Sequence, residues 1–384
     1  MYQNIQMVNL QSQYLQIKEE VDAAMQQVIT DSAFINGPQV KRFAEKIAAW
    51  HQVPFAVTCG NGTDALQLAM MALGFKPGDE VIVPVFTYVA TAEVIALLGL
   101  KPVFVDVCPR TFNIDPEQVE ARVTEKTVAI APVHLYGQCA DMAPLLKIAK
   151  QYKLRIIEDN AQSIGAEYKF ADGMVKKAGT MGDAGTLSFF PSKNLGCYGD
   201  GGAVLFKDEQ LGKLCQSIAN HGQQVKYHHD FIGVNSRLDT LQAAILEVKL
   251  KYLESYLVKR QKVAAFYDST FADVEHIEVP FRSQNSTHVF HQYTLKIKNG
   301  QRDALKQFLA EKEIPSMIYY PLPLHHQKAY LQENFKGDGH FPAAEQLCKE
   351  VLSLPIHTEM TEEELHYISN SVKDFFVSKT VIKA

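Results

Sequence analysis

Apolar positions change their period as the chain is followed. Over residues 12–30 (SQYLQIKEEVDAAMQQVIT) they recur at helical spacing, Asn36, Gly37 and Pro38 interrupt the pattern, and a second helix is predicted toward Trp50. From Phe55 onward the pattern becomes short apolar runs: FAVT (55–58), VIVPV (81–85), KPVFVDV (101–107), TVAIAPV (127–133) and LRIIE (154–158). They alternate with helical stretches such as DALQLAMMALG, ATAEVIALLG and APLLKIAKQY. Runs that are apolar on both faces, alternating with helices, predict a largely parallel sheet covered by helices. Ligands on such sheets sit at the carboxyl ends of the strands.

Further along, two more strands are predicted, over 185–190 and in the apolar run ending at Phe206, with a glycine-rich turn between them. A helix to Asn220 follows, then HGQQVKYHHDFIG, a polar stretch that reads as a mobile loop, then one long helix from about Leu238 to Tyr267. The remainder mixes strands (HQYTLKI, PSMIYY) with helices (RDALKQFLAEK, TEEELHYISNSVKDFF), as a smaller α/β unit would. The predicted division is a large domain over 1–250 and a small carboxyl-terminal domain over 251–384, with the boundary inside the long helix.

Composition narrows the function classes. A chain of 384 residues with 47% hydrophobic residues can fill two cores, and a net charge of −5 offers no basic footprint for nucleic acid. A phosphate therefore has to be held locally. The six cysteines are scattered without a Cys-x-x-Cys pair, which suits reduced thiols in a cytoplasmic protein. The first residues lack the basic segment and apolar core of a signal peptide, and no apolar run approaches the ~18 residues of a membrane span. A soluble protein without a membrane partner is expected.

The candidate chemistry gathers around TLSFFPSKNLGCYGDGGAVLF (186–206). Lys193 follows a predicted strand and a proline, and an amine held among Phe189, Phe190 and Pro191 sheds its charge more easily than a solvated one. That is the property a Schiff-base lysine needs, although a strand-edge lysine ending in water fits the same stretch. At Cys59-Gly60-Asn61-Gly62-Thr63-Asp64-Ala65, glycines permit close approach of backbone to a ligand, and Thr63 or Asp64 is the expected cap of a helix whose free N–H groups favour a phosphate. An ordinary βα turn reads the same way. The stretch also fits the dinucleotide fingerprint G-x-G-x-x-G/A, but the acidic residue that should end the next strand is absent, since Pro84 and Val85 stand there.

At Glu158-Asp159-Asn160-Ala161-Gln162, a carboxylate at the end of a buried strand needs a positive partner, and a pyridinium nitrogen is one. Asp159 is the expected residue rather than Glu158, the alternative being an Asp that caps the next turn or pairs with a core arginine. Tyr88, in Thr87-Tyr88-Val89-Ala90-Thr91, ends another strand and can lie flat on a cofactor ring or pack in the core. Asn235 and Arg237 can both reach an anion; equally, Ser236 can cap the following helix. His228-His229 and His325-His326 are adjacent pairs rather than i, i+4 pairs, so neither is read as a metal site.

Taken together, GNGTDAL, GDEVIVP, FTYVATAEVI, PVFVDV, HLYGQCADM, IEDNAQSIGA, SFFPSKNLGCYGDGGA and NSRLDTLQAAIL resemble the DegT/DnrJ/EryC1/StrS family of pyridoxal-phosphate-dependent nucleotide-sugar aminotransferases. The resemblance runs from about Gln6 to Phe375. It implies the aspartate-aminotransferase-like fold type I, with a mostly parallel mixed sheet between helices and a smaller α/β domain. It also implies pyridoxal phosphate as cofactor, with Lys193 as the Schiff-base lysine, Asp159 on the pyridine nitrogen, Gln162 at the ring hydroxyl, and Gly62, Thr63 and Ser188 on the phosphate. Tyr88 falls at the stacking aromatic, and Asn235 would reach the phosphate from a neighbouring subunit, giving a homodimer with shared sites. Arg237, Tyr319 and Tyr320 match positions that contact the sugar nucleotide; many members have His where Tyr319 stands.

The activity so implied is transfer of an amino group, by family habit from L-glutamate, to a keto-sugar carried on UDP or dTDP, for amino-sugar or polysaccharide biosynthesis. The Tyr320 region favours a 3-keto substrate over a 4-keto one. Dehydratases of the same family replace the lysine with histidine, and a non-catalytic sugar-nucleotide-binding regulator on this fold would not need lysine, aspartate and phosphate loop together.

Overall fold

The computed structural model describes residues 5–331 and 339–381. Its central element is a seven-stranded sheet built from β1 (Phe55–Cys59), β2 (Glu80–Pro84), β3 (Lys101–Val105), β4 (Thr127–Ile130) and β5 (Arg155–Asp159), then, after a hairpin of β6 (Glu167–Lys169) and β7 (Val175–Lys177), β8 (Ala184–Ser188) and β9 (Gly202–Phe206). The order across the sheet is β1-β9-β8-β5-β4-β2-β3, and only β9 runs against its neighbours. Residues alternate between two cores: Val81 and Val83 of β2 point to one face, and Ile82 to the other. Both faces are covered, which is why the strands read as continuous apolar runs.

This topology positions the site. Because β8 and β9 are antiparallel neighbours, with Ser188 opposite Gly202, the connection carrying Lys193 turns back at the carboxyl edge of the sheet. Because β8 also pairs in parallel with β5, with Asp159 beside Thr186, that connection lies next to the end of β5.

After a short exposed hairpin of β10 (Gln223–Val225) and β11 (His228–His229), β12 (Ile277–Glu278), β13 (Tyr293–Ile297) and β14 (Val351–Leu354) form a second, antiparallel sheet. Helices Leu253–Phe271, Arg302–Glu311 and Glu362–Val381 pack with it around a separate core that includes Tyr267, Tyr293, Leu295 and Leu352.

Four expectations are corrected. Residues 12–30 form two helices, Leu10–Gln16 and Lys18–Asp31, which meet at Ile17. The stretch 238–267 is also two, Thr240–Leu250 and Leu253–Phe271. Ala243 and Leu246 of the first serve a core of the large sheet, as do Leu253 and Leu257 at the start of the second, whose Val263, Tyr267 and Phe271 then serve the small one. The polar stretch 221–233 holds the β10–β11 hairpin rather than a loop, entered through Gly222 at φ +70°, where a Cβ would stand 1.8 Å from the Phe231 carbonyl oxygen. PSMIYY is not a strand; among the described residues only Met317 bridges, to Ser353. Among the described residues no helix is long and apolar enough to cross a membrane.

Candidate active site

Lys193 is held by its own turn. The Phe189 N–H donates to Gly201 O at 2.7 Å, Cys197 N–H to Phe189 O at 2.8 Å and Lys193 N–H to Phe190 O at 2.8 Å. Gly196 allows this closure, since a Cβ there would stand 2.3 Å from Pro191 O. Lys193 as a whole is half-buried, but its amino group is stripped of water. That desolvation lowers its pKa from 10.5 to about 8, against the opposing pull of the Asp159 carboxylate.

The two consecutive acids at the end of β5 have different surroundings. Glu158 is fully buried and completely engaged: it accepts from the N–H groups of Gly179 (2.9 Å), Met181 (2.6 Å) and Gly182 (2.6 Å) and meets His134 Nε2 at 2.8 Å. It fastens the 179–182 turn to the sheet. Asp159, 6% exposed, accepts from the Thr91 hydroxyl at 2.6 Å on one oxygen and from the Ala161 N–H at 3.1 Å on the other. Its charge is felt by Lys193 and by the Tyr320 phenol.

Aromatic side chains and an amide gather beside that acid. Gln162 accepts from the Tyr136 N–H at 2.8 Å and donates to the Tyr320 hydroxyl at 3.2 Å. The Tyr320 ring lies 6.3 Å from Tyr88 and 6.0 Å from Phe86, centroid to centroid. Tyr88 itself is 59% exposed. Tyr319 accepts on its carbonyl from the Tyr136 hydroxyl, and Leu324 N–H donates to Val85 O at 2.9 Å, fixing this segment to the end of β2.

The glycine loop after β1 is built differently from expectation. Asn61, not Thr63 or Asp64, caps helix Gly62–Ala72, accepting from the Asp64 N–H at 2.8 Å. Asp64 lies inside the helix and accepts from the Ser236 hydroxyl at 2.6 Å, while Ser236 accepts from the Gly60 N–H at 3.0 Å. Ser236 is thus a tie to this loop and does not cap the following helix, whose cap position is Asp239. A Cβ on Gly62 would stand 2.7 Å from that of Ser188, so only glycine lets the helix end meet β8 this closely. The Gly62 and Thr63 N–H groups have no partner among the described residues and present the positive end of the helix dipole.

Asn235 is exposed, its backbone bridged to Asn220, and neither it nor Arg237 has a side-chain hydrogen bond or ion pair among the described residues. Arg237 lines a groove of about 1020 Å³ between helix Pro38–His51, β1 and helix Glu209–Ala219. That groove does not reach Lys193. A cavity of about 420 Å³ does border the lysine turn, through Ser192, Gln292, Tyr319 and the segment around Met7. Lys193 and Asp159 are thus close enough to interact, and Tyr320, bonded to Gln162, feels the same carboxylate.

Thr91, His134, Tyr136 and His291 belong to this region without having been singled out. Thr91 stands in FTYVATAEVI and His134 and Tyr136 in HLYGQCADM, so their segments were visible, although their partners lie far along the chain. His291 carries no sequence signal. It is buried, and desolvation together with the nearby Lys193 and Arg260 cations holds its pKa well below the usual value.

The model of the DegT/DnrJ/EryC1/StrS aminotransferase family matches residues 15–373. A "Pleiotropic regulatory protein" of Geobacillus stearothermophilus is 47% identical over 97% of this chain and 99% of its own length. A "UDP-2-acetamido-2-deoxy-3-oxo-D-glucuronate aminotransferase" of Pseudomonas aeruginosa is 46% identical over 92% of this chain and 95% of its own. The crystal structure of a DegT DnrJ EryC1 StrS aminotransferase from Brucella abortus superposes with a TM-score of 0.92 at 38% identity, covering 97% of this chain and 100% of that one. With a family match across nearly the whole chain and a fold shared at this level, the protein belongs to the DegT/DnrJ/EryC1/StrS aminotransferase family.

Proposed function

We propose that this pyridoxal-phosphate-dependent aminotransferase moves an amino group from L-glutamate to a 3-keto-sugar carried on UDP or dTDP. The observation that carries the reading is the desolvated Lys193 amine, its pKa near 8, opposite the buried Asp159.

The residues present suit the cofactor. Lys193 is the amine that would hold it, and Asp159, with its oxygens oriented by Thr91 and Ala161, is the acid for a ring nitrogen. Gly62 and Thr63 would hold the phosphate on free N–H groups, with Ser188 packed against them. Tyr88 would cover the ring, and Gln162 would face its hydroxyl. When bound, the cofactor supplies an electron sink for the carbon that loses its proton.

Lys193 has the protein's part in that exchange. A neutral fraction of its amine exists near pH 7, so Nζ can take the proton from the amino-bearing carbon of the donor and return it elsewhere. Asp159 would hold a positive charge on the cofactor's ring nitrogen, and the aromatic side chains of Tyr88, Phe86 and Tyr320 would limit water. Tyr319 borders the cavity next to Ser192, and it and the adjoining Tyr320 would meet the sugar; Arg237, in its separate groove, would meet the nucleotide only where a second copy brings the two together. Asn235, exposed and far from Lys193 in sequence, would complete the phosphate site of a second copy in a homodimer.

The name of the Pseudomonas relative, acting on a UDP-linked 3-oxo sugar acid, supports the 3-keto assignment. The Geobacillus relative's name raises the alternative of a non-catalytic regulator. Lys193, Asp159 and the Gly62 helix end standing together favour an enzyme. A lysine rather than a histidine at 193 favours aminotransfer over dehydration.

The test is a panel of 3-keto and 4-keto sugar nucleotides on UDP and dTDP, supplied with glutamate and followed by mass spectrometry. Turnover of 3-keto substrates that vanishes in Lys193→Ala is the expected result. Turnover with 4-keto substrates alone would move the assignment to C4, and turnover retained by Lys193→Ala would overturn the role of the lysine.

A further inference from the structure

A cluster of imidazoles and one carboxylate lies beside the Tyr319–Tyr320 segment. The 3-10 turn Leu324–His326 is pinned to the end of β2 by the Leu324 N–H···Val85 O bond. Helix Pro342–Glu350 is pinned just beyond the end of β3, where Asp106 accepts from the Ala343 and Ala344 N–H groups at 2.9 Å each. Since β2 and β3 are adjacent, these two anchors bring His325, His326 and Glu345 together, and one donor atom from each lies within 4.8 Å of the others.

The spacing is informative. His325 Nε2 stands 3.4 Å from Glu345 Oε1, and His340 Nδ1 stands 3.7 Å from the same oxygen. Both separations exceed the 2.7–3.2 Å of a good N–H···O hydrogen bond. Two ligands of a tetrahedral zinc ion, with bonds of about 2.0–2.1 Å, stand ~3.3 Å apart. The His325 side chain is 10% exposed, its Nδ1 has no partner among the described residues, and its ring lies 3.9 Å from that of His326. The donor set of imidazole nitrogens and one carboxylate selects zinc and its neighbours over magnesium or calcium, which prefer oxygen alone.

We propose that His325, His326 and Glu345 form a three-residue binding site for a zinc-class divalent cation. Asp106 is the outer partner that orients the Glu345 helix. An adjacent histidine pair shares no helical face, so the sequence does not announce this site; the third ligand comes from an element that only the fold brings near. An ion there ties the segment bearing Tyr319 and Tyr320 to helix Pro342–Glu350.

The test uses the full chain with its cofactor, freed of metal by a chelator and titrated with zinc, reading bound zinc per chain and the shift in melting temperature. The expected result is one equivalent more in the wild type than in His326→Ala or Glu345→Gln, with affinity for that equivalent lowered at least ~10-fold in either variant. Circular dichroism verifies that both variants are folded; His325 is left intact because it packs 4.8 Å from the Phe341 ring. Zinc uptake and stabilisation equal in wild type and variants would overturn the proposal, as would absence of uptake by the wild type or equal competition by magnesium.

Discussion

Burying the Lys193 amine has a cost that depends on pH. Its folded-state pKa is near 8 and its ordinary value 10.5, so between these the unfolded chain holds more protons, and stability rises with pH through that window. Below pH 8 the amine is charged in both states and the penalty is fully present, of the order of 3 kcal/mol at 1.36 kcal/mol per pH unit. The cofactor-free Lys193→Met protein should therefore melt above the cofactor-free wild type at pH 7, with the gap closing as pH rises past 10.5. Melting curves across that range measure it, and a gap independent of pH would contradict the desolvation account. Thr91 poses the complementary question at the acid. Its hydroxyl is the sole side-chain donor recorded to Asp159 among the described residues, and a hydrogen bond to a buried charge contributes about 1.5–3 kcal/mol. Thr91→Val should lower kcat/KM by about 10- to 100-fold while the protein stays folded, and Thr91→Ser should restore most of it. Equal losses in both variants would mean that packing, rather than the hydroxyl, is what the site needs.

Elements fix these residues by their ends, and the ends are where sequence reading was weakest. The apolar runs marked all the parallel strands because burial on both faces leaves no room for polar residues. Caps and ties were not legible, because their partners are remote: Ser236 bonds Asp64 across 172 positions, and Gly60 across 176. PSMIYY has the composition of a strand, but its pairing to β14 stops at the Met317–Ser353 bridge, and the Tyr319 carbonyl accepts from the Tyr136 hydroxyl instead of a neighbouring strand. Glu158 shows what an element end demands energetically. Each Glu158 oxygen accepts from two groups, so Glu158→Gln turns an NH2 group toward two of these donors and leaves buried N–H groups unpaired. Breaking such a buried network costs about 3–5 kcal/mol, to be read from urea denaturation midpoints; a change below ~1 kcal/mol would show that the 179–182 turn is held by other means. Gly62→Ala tests the helix end sterically, since its Cβ would stand 2.7 Å from that of Ser188. Cofactor retention, read from the absorbance of the purified protein, should fall further in Gly62→Ala than in Ser188→Ala, which removes only a hydroxyl beside the phosphate site; retention equal to wild type in Gly62→Ala would show that this close approach is not needed.

At the scale of the whole molecule, the two-sheet architecture was legible because two periodicities and a change of strand pattern survive in sequence, whereas the path between the sheets was not. Arg260 explains why: it lies in helix Leu253–Phe271 between the large-sheet contacts of Leu257 and the small-sheet contacts of Val263, and its guanidinium donates to the carbonyls of Phe290, His291 and Ile356. One helix thus crosses from core to core, and no composition shift marks the crossing. Subunit sharing is another property that spacing alone cannot reveal, yet it has a sharp arithmetic. In the proposed homodimer each site takes Lys193 from one chain and Asn235 from the other. A hybrid of a Lys193→Ala chain with an Asn235→Ala chain would then hold one intact site, built from the Lys193 of the second chain and the Asn235 of the first. Equal mixing and reassociation makes half the dimers hybrids, so about a quarter of the wild-type sites return, although each variant alone is impaired. If both residues instead served the same chain, no combination would contain an intact site and the mixture would show no more than the average of its parents. The activity of the reassociated mixture against that average separates the two arrangements.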